Sequence, residues 1–157
     1  MKIKFLAIGK TDNKHIAALF EDYQKRLQHY VSFEFSVIAD LKNSKNLSTS
    51  EQKEREGDLL LKNFDAADEI ILLDENGTLY NSADFADFLN KKSLTSVKTL
   101  VFVVGGAYGF SQRVYARANH CIALSKMTFS HQMTRTIFAE QLYRAFTIIK
   151  GEKYHHS

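Results

Sequence analysis

The chain has 157 residues, of which 45% are hydrophobic and 25% are charged, so it has the proportions of one globular domain and not of a disordered chain. Its one cysteine, Cys121, excludes an internal disulfide framework and a cysteine-rich zinc site, and it favours a reducing, cytoplasmic setting. The net charge of +3 divides unevenly into −3 over residues 1–97 and +6 over residues 98–157. The basic C-terminal part indicates either a surface for an anionic partner such as nucleic acid or a chance asymmetry on a solvated surface.

Apolar residues in the first half of the chain alternate between strand and helix periodicity. Residues 3–9 form a short apolar run without a cleavage signature, so we predict a strand there and not a signal peptide. Residues 31–37 alternate strictly between apolar and polar side chains, which predicts a half-buried strand at a sheet edge. Ser48 and Glu51 have the spacing of a capping box, which predicts a helix from there to about residue 63. Between the first two strands lies a predicted helix with one apolar face: Ile16, Leu19, Phe20, Tyr23 and Leu27.

The second half of the chain continues this alternation. Residues 69–77 predict a strand that ends in a turn, and we expect Ser82 to cap a short helix after it. Residues 99–106 give the most continuous buried strand of the prediction. A short helix, a strand and the longest helix are then predicted over residues 110–119, 120–125 and 131–150, with Gly151 as the last C-cap.

Five strands that alternate with five helices predict one α/β domain over residues 1–157, in which helices flank a mostly parallel sheet of five to six strands. On the longest helix, Met133, Ile137 and Phe138 are predicted core residues. No apolar run approaches the length of a membrane span, so we expect no membrane partner.

Three glycines fall within five positions at the end of a predicted central strand, in VFVVGGAYGF, residues 101–110. Ligands bind at this edge of open α/β sheets, but two nucleotide motifs do not match. A P-loop would continue with Lys and then Ser or Thr, whereas Phe110 and Ser111 follow here. A dinucleotide fingerprint would have an acidic residue about 20 positions later, and residues 124–131 contain none. The glycines therefore indicate either a tight turn or the close approach of another kind of ligand.

Three spaced segments carry a resemblance to a known family. They are LLDENG at residues 72–77, VVGGAYGF at residues 103–110 and ALSKMTFSHQMTRTIFAEQLYRAFTIIKGEKYH at residues 123–155. Together with the opening KIKFLAIGK, they resemble the RlmH family of SPOUT-class methyltransferases, whose members methylate a pseudouridine of 23S ribosomal RNA. The resemblance covers essentially the whole chain. Ser130 is a departure, because the family usually has a proline before the histidine that is His131 here, and proline would stiffen this loop.

The resemblance implies that the C-terminal segment forms a trefoil knot, whose loops hold S-adenosylmethionine in a bent conformation, mainly through backbone groups. The glycines would then let the main chain close around the cofactor. No metal is implied. Without the resemblance, Leu73, Met127 and Phe129 would be interpreted as core residues. By analogy with the family, the cofactor-binding residues are Leu73, Gly105, Leu124, Ser125, Lys126, Met127, Thr128 and Phe129.

Methyl transfer from a sulfonium is an in-line displacement, so the enzyme must bring the methyl carbon and the acceptor nitrogen into line. The acceptor that the family implies is N3 of pseudouridine, which becomes nucleophilic when its proton leaves. A base or a set of cations should therefore lie beside it, and Tyr154 is the expected stacking platform for the extruded base. The alternative for residues 151–157 is a frayed terminus. The candidates for the base or cations are His131, Arg135, Arg144 and His155.

SPOUT enzymes build their active site across a dimer, so the resemblance implies a homodimer that acts on ribosomal RNA in an assembled ribosome. The last helix has more apolar residues than one buried face needs, which predicts that some lie in the dimer interface: Phe138, Leu142, Phe146 and Ile149. Two other classes stay open. A silent RNA-binding module would share the basic tail but bind no cofactor, whereas an oxidoreductase would carry a nicotinamide or flavin, although its fingerprints are missing.

Overall fold

The computed structural model describes residues 1–156, in which five strands alternate with five helices as the periodicity predicted. A 3₁₀ turn at Ser44–Asn46 lies in the loop before the second helix. Within the described residues, no helix is both long enough and apolar enough to cross a membrane. The elements in chain order are β1 Lys2–Ile8, α1 Lys14–Leu27, β2 Ser32–Ile38, α2 Thr49–Leu61, β3 Glu69–Leu79, α3 Ser82–Ser93, β4 Thr99–Val104, α4 Gln112–Arg117, β5 His120–Ala123 and α5 His131–Ile149.

All five strands form one parallel sheet in the order β2-β1-β4-β3-β5. The predicted parallel sheet is confirmed, with five strands, and β2 lies at an edge as its alternating sequence predicted. β4 lies in the middle and is buried from Leu100 to Val104, which explains its continuous apolar sequence.

Helices cover both faces of this sheet. On one face, α1, α3 and α5 pack on a core in which the Phe138 ring lies 4.8 Å from that of Phe5 and 4.7 Å from that of Phe102. On the other face, α2 and α4 contribute Leu60 and Val114 to a second core. The helices that follow the neighbouring strands β1 and β4 therefore lie on opposite faces of the sheet.

The helix caps agree with the sequence in part. The predicted capping box of Ser48 and Glu51 is present at the start of α2. The prediction for α3 is wrong by one residue, because the Asn81 side chain accepts the Asp84 backbone N–H at 2.8 Å and Ser82 is already helical. Ser130 caps α5, since its side chain accepts a hydrogen bond from the Met133 backbone. The serine that departs from the family pattern thus supplies a cap that proline could not.

The C-terminal end of α5 also differs slightly from the prediction. Its C-cap is Lys150, and Gly151 follows with a left-handed φ of 69°, a conformation that glycine adopts without a steric penalty. The predicted cap is therefore displaced by one residue.

Two apolar residues predicted to be buried are exposed. Leu19 has 49% of its surface accessible, because Phe20 and Leu27 are the residues of α1 that are buried against the core. Met133 is 40% exposed, because the buried residues of α5 begin only at Arg135. The prediction of a continuous apolar face is therefore wrong at these two positions.

The apolar residues of α5 that were expected in a dimer interface lie within the chain's own core. Phe138, Leu142 and Phe146 are buried there, and Ile149 packs against the same core. The reason is that α5 packs against α1 and α3 as well as the sheet, so it needs more than one apolar face within one chain. The prediction that some of these residues face a partner is therefore wrong for Phe138, Leu142 and Phe146. It stays a prediction for Ile149, which is only partly buried.

Candidate functional site

A cleft of about 400 Å³ lies at the carboxyl ends of β3, β4 and β5. Its walls come from residues 73–76, 104–110, 124–125 and 127–129, from Tyr115 of α4 and from the first turn of α5. These segments are far apart in sequence but meet here because the carboxyl ends of parallel strands share one edge of the sheet. The volume is that of a small-molecule site.

One wall of the cleft is an irregularity in β3. Leu73 and Thr78 both pair with Ile122 of β5, so residues 74–77 bulge out between them, and residues 74–76 enter the lining. Glycine is required at 77, because a Cβ there would lie 2.5 Å from the Ile122 backbone nitrogen. The bulge therefore depends on close backbone contact between β3 and β5.

Asp74, in this bulge, is held in one orientation. One of its carboxylate oxygens accepts the Asn76 backbone N–H at 2.8 Å, and the other accepts the Tyr115 hydroxyl at 2.6 Å. Burial, followed by this hydrogen bond, raises the pKa of Tyr115, so the phenol stays a donor. The pair connects the β3 bulge to α4 across the cleft.

Local contacts or backbone conformation explain the glycine at each of three positions in the loop after β4. Gly109 adopts a φ of 79°, and its N–H donates to the Gly106 carbonyl, so the loop contains a tight turn. A Cβ on Gly105 would lie 3.0 Å from the Phe110 ring. A Cβ on Gly106 would lie 2.7 Å from Oε1 of Glu56. The close approach visible here is thus to Phe110 and Glu56, while the loop's residues also line the cleft.

The cofactor residues inferred from the resemblance gather at this cleft. Met127 and Phe129 are 78% and 41% exposed, so neither is a core residue. The Ser125 hydroxyl accepts the Met127 backbone N–H at 2.9 Å and shapes the loop. Lys126 is exposed and does not contribute to the lining. The residues of the inferred set that line the cleft are Leu73, Gly105, Leu124, Ser125, Met127, Thr128 and Phe129.

The five catalytic candidates fall in three different places. His131 lines the cleft. Arg135, one turn further along α5, is only 1% exposed and donates to the Ile8 carbonyl at 2.7 Å and to the Thr11 hydroxyl at 2.9 Å. Burial lowers the pKa of its guanidinium. Arg135 therefore ties α5 to the end of β1 from inside the protein.

The remaining candidates belong to a tail cluster, formed by Tyr23, Glu140, Arg144, Tyr154 and His155. The Tyr154 hydroxyl lies 3.1 Å from Oε1 of Glu140 and 3.4 Å from the Tyr23 hydroxyl. Arg144 pairs with Glu140 at 2.5 Å, lies 4.8 Å from the centre of the Tyr154 ring, and is 3.4 Å from Nδ1 of His155. Burial and the neighbouring hydroxyl raise the pKa of Tyr154. One face of the expected stacking platform is thus occupied by a guanidinium.

The C-terminal tail is packed on the helices. Besides the contacts of Tyr154, the Tyr30 hydroxyl donates to Glu152 at 2.5 Å, and the Tyr143 ring meets Tyr154 edge to face with centroids 4.7 Å apart. The interpretation of this segment as a frayed terminus is wrong for residues 152–155. The tail cluster does not line the cleft, and along the axis of α5 it is about 20 Å from His131.

Three further polar residues at or near the cleft were missed from the sequence. Asp74 directly follows the apolar part of β3, a position that could have identified it. Tyr115 carried no comparable signal. Glu56 lies one helical turn before the buried Leu60, so its place on the apolar face of α2 was readable from the spacing. Within residues 1–156, no cluster of three or more His, Cys, Asp or Glu side chains is placed to hold a metal ion.

Comparison with known sequences agrees with this geometry. The family described as predicted SPOUT methyltransferase matches residues 1–155. A protein of Flavobacterium johnsoniae named ribosomal RNA large subunit methyltransferase H is 56% identical over 156 residues, which is 99% of each chain. The chain belongs to the RlmH family of SPOUT methyltransferases. A second RlmH relative, from Parabacteroides distasonis, is 54% identical over the same share of both chains.

A solved structure of much lower sequence identity has a related fold. It is described as a probable methylase family protein from Haemophilus influenzae, with a TM-score of 0.53 and 12% identity. The match covers 99% of this RlmH-family chain and 70% of the other. At this identity the likeness supports the α/β architecture alone. The resemblance read from the sequence is confirmed by the family and the relatives together.

Proposed function

We propose that this RlmH-family protein transfers a methyl group from S-adenosylmethionine to N3 of a pseudouridine in 23S ribosomal RNA, in the cytoplasm and on the assembled ribosome. The observation that carries the proposal is the position of the cleft. Its walls include the three segments that the family resemblance assigns to the cofactor. The trefoil knot of the C-terminal segment is a further prediction of the same resemblance.

The residues of the cleft suit S-adenosylmethionine. Leu73, Leu124 and Phe129 offer apolar surface for an adenine ring, and the backbone of the glycine loop offers polar groups at close range. Asp74 and Glu75 bring negative charge for a ligand that carries a sulfonium and an ammonium group. When bound, the cofactor supplies an electrophilic methyl group. The chain's own residues must fix its orientation and keep water away from it.

The acceptor side of the reaction needs a proton acceptor or cations near N3. His131 is the candidate that lies at the cleft, and we propose that it orients the acceptor or receives its proton. The tail cluster adds Arg144 and His155, but these lie about 20 Å away along α5 in the same chain. We therefore propose a homodimer with two-fold symmetry, in which the tail of one subunit completes the cleft of the other.

The surface near the cleft supports such a dimer better than the core residues of α5 do. Met127, Phe129 and Met133 are 78%, 41% and 40% exposed, and they lie close together in sequence, in the loop before α5 and in its first turn. Exposed apolar residues grouped in this way are typical of protein interfaces. We therefore place the proposed interface at the first turn of α5 and the loop before it, and not at the middle of this helix.

The proposed function is tested by calorimetry with S-adenosylmethionine and by transfer of radiolabelled methyl groups to ribosomes from a strain lacking the modification. We expect binding and transfer by the wild-type protein. Gly105→Val should abolish binding, because a branched side chain would fall against Phe110 and into the cleft. Circular dichroism checks that the variant is folded. If it is folded and titrates like the wild type, the cofactor binds elsewhere.

Each other outcome also points to a definite conclusion. Cofactor binding without transfer to ribosomes would refute the proposed substrate but keep the cofactor site. Failure of the wild type to bind the cofactor, with RNA binding retained, would favour a silent RNA-binding module. A copurified nicotinamide or flavin, visible by its absorbance, would favour an oxidoreductase.

A further inference from the structure

Glu56 is a buried carboxylate whose hydrogen bonds are incomplete. It lies on α2 and is only 4% exposed. Its Oε1 accepts a hydrogen bond from the Gln52 side chain at 3.1 Å, while Oε2 has no donor among residues 1–156. A buried carboxylate without full hydrogen bonding is energetically costly.

This carboxylate lies directly against the glycine loop of the cleft. A Cβ on Gly106 would be 2.8 Å from the Glu56 carboxyl carbon and closer still to Oε2. Gly106 itself lines the cleft. Glu56 is therefore separated from the cleft by Gly106, a residue without a side chain. The charge of Glu56 thus lies close to the position of a ligand in the cleft.

The groups around Glu56 set its ionisation. Burial raises the pKa of Glu56, and the hydrogen bond from Gln52 on its own helix lowers it. Asp40, from the loop after β2, raises that pKa, and His131 of α5 lowers it. Glu56 thus has one negative and one basic neighbour on the elements packed against it, and a positive charge placed in the cleft would favour its ionised form.

The other carboxylates near the cleft are differently placed. Asp74 uses both oxygens as acceptors, from Asn76 and Tyr115, and Glu75 is exposed. Water screens an exposed charge, whereas the field of a buried charge is screened much less. Among these three carboxylates, Glu56 combines burial with an oxygen that no donor occupies.

We propose that Glu56 is a selectivity residue, whose carboxylate favours the sulfonium of S-adenosylmethionine over the neutral thioether of S-adenosylhomocysteine. The inference rests on the proposed function. Methyl transfer breaks the bond from sulfur to the methyl carbon and leaves both electrons on sulfur, so the cofactor loses one positive charge. The attraction of Glu56 is lost with that charge, and the spent cofactor is released more readily.

The test compares the affinities for the two ligands by calorimetry. Glu56→Gln keeps the size of the side chain and an oxygen for Gln52 but removes the charge. We expect it to weaken S-adenosylmethionine binding about tenfold, the effect of opposite unit charges about 10 Å apart in a protein. S-adenosylhomocysteine affinity should change less than about twofold, because a neutral thioether has no net charge for the carboxylate to attract. Glu54→Gln is the matched control, since this carboxylate of the same helix pairs with Arg113 at the surface, and it should alter neither affinity.

Two results would overturn the proposal. An equal loss of both affinities would make Glu56 a support of the loop without selectivity, and unchanged affinities would remove it from the site altogether. If the wild-type protein binds neither ligand, the proposed function is refuted. If the wild type binds both ligands but Glu56→Gln shows one of the two results above, only the role of Glu56 is refuted.

A second measurement applies if Glu56→Gln does not fold. The variant His131→Gln removes a second titratable group beside the cleft. In this variant, calorimetry in two buffers of different ionisation enthalpy reports the protons released by the remaining groups on ligand binding. We expect S-adenosylmethionine binding to release more protons than S-adenosylhomocysteine binding, because the sulfonium favours ionised Glu56. Equal proton release with both ligands would overturn the proposal.

Discussion

Tyr154→Phe and Tyr154→Ala remove different parts of the tail cluster. Phenylalanine loses the hydroxyl that lies 3.1 Å from Glu140 but keeps the ring beside Arg144 and Tyr143. Alanine loses the hydroxyl and the ring. Glu140 keeps its ion pair with Arg144 in either variant, so no carboxylate is left without a partner.

The cost of each change follows from these contacts. The hydroxyl is part-buried and its acceptor keeps other donors, so Tyr154→Phe should lower the free energy of tail docking by about 1 kcal/mol. Tyr154→Ala also loses an aromatic pair worth about 0.5–1.5 kcal/mol and part of the ring's buried surface, for a total of about 2–3 kcal/mol. For a chain of this size each kcal/mol corresponds to about 2–4 °C, so we expect the Tm of Tyr154→Ala to fall by no more than about 4–12 °C.

Activity should separate the variants more sharply than stability does. If the ring stacks on the target nucleoside, stacking of about 1–3 kcal/mol per base corresponds to a loss of roughly 5- to 150-fold in methyl transfer for Tyr154→Ala. Tyr154→Phe should retain most of the activity. Deletion of residues 153–157 should behave like the alanine variant. All three should keep the affinity for S-adenosylmethionine, because the residues proposed to hold the cofactor lie earlier in the chain, between Leu73 and Phe129.

The assay is transfer of radiolabelled methyl groups to ribosomes that lack the modification, together with calorimetry for cofactor binding and urea unfolding for stability. Wild-type transfer by the truncated protein would refute a role of the tail in the reaction. The proton acceptor or cation would then have to be sought at His131 or Arg144, since Arg135 is enclosed in the protein.

Three further predictions concern assembly and stability. Light scattering should give about twice the 18.0 kDa chain mass, and Met133→Lys should shift the protein toward monomer; a monomeric wild type that still methylates would refute the shared site. Ser130→Ala should lower the free energy of unfolding in urea by about 1 kcal/mol through loss of the α5 cap, and no change would show that the cap is not stabilising. Glu56→Gln should stabilise the fold at neutral pH: the folded-state pKa is raised above 4.5, so the wild type loses stability as pH rises through that folded pKa. The difference between the two proteins should shrink in acid, and a difference independent of pH would contradict this cause.

The order and type of the elements could be predicted because the period of the apolar residues changes with each one. Caps refined this where the chemistry was unambiguous, as at Ser48, but neighbouring Asn81 and Ser82 can both cap a helix, and only the backbone distinguishes them. Periodicity could not predict the exposure of Leu19 and Met133, because the period marks a face and not how far along a helix the packing extends.

The candidate site was predictable only as far as the family pattern reached. The cleft depends on the convergence of distant loops, and the sequence alone gave two explanations for the glycines. The structure adds a third, in which Gly106 makes room for a carboxylate from α2, 50 residues earlier in the chain. Such a contact leaves no local signal, whereas Glu56 could have been noticed as a charged residue at a buried helical position.

The strand order also bears on how the chain folds during its synthesis. β1 lies between β2, which follows it closely, and β4, whose residues 99–104 are made much later. Until β4 leaves the ribosome, one edge of β1 has no partner strand. The aromatic core is incomplete until Phe138 of α5 has been synthesised. Pairings between such distant segments form slowly, and unpaired edges favour aggregation. A nascent chain that ends before β4 therefore exposes the unpaired edge of β1, which favours aggregation. Folding is completed only after α5 has been made.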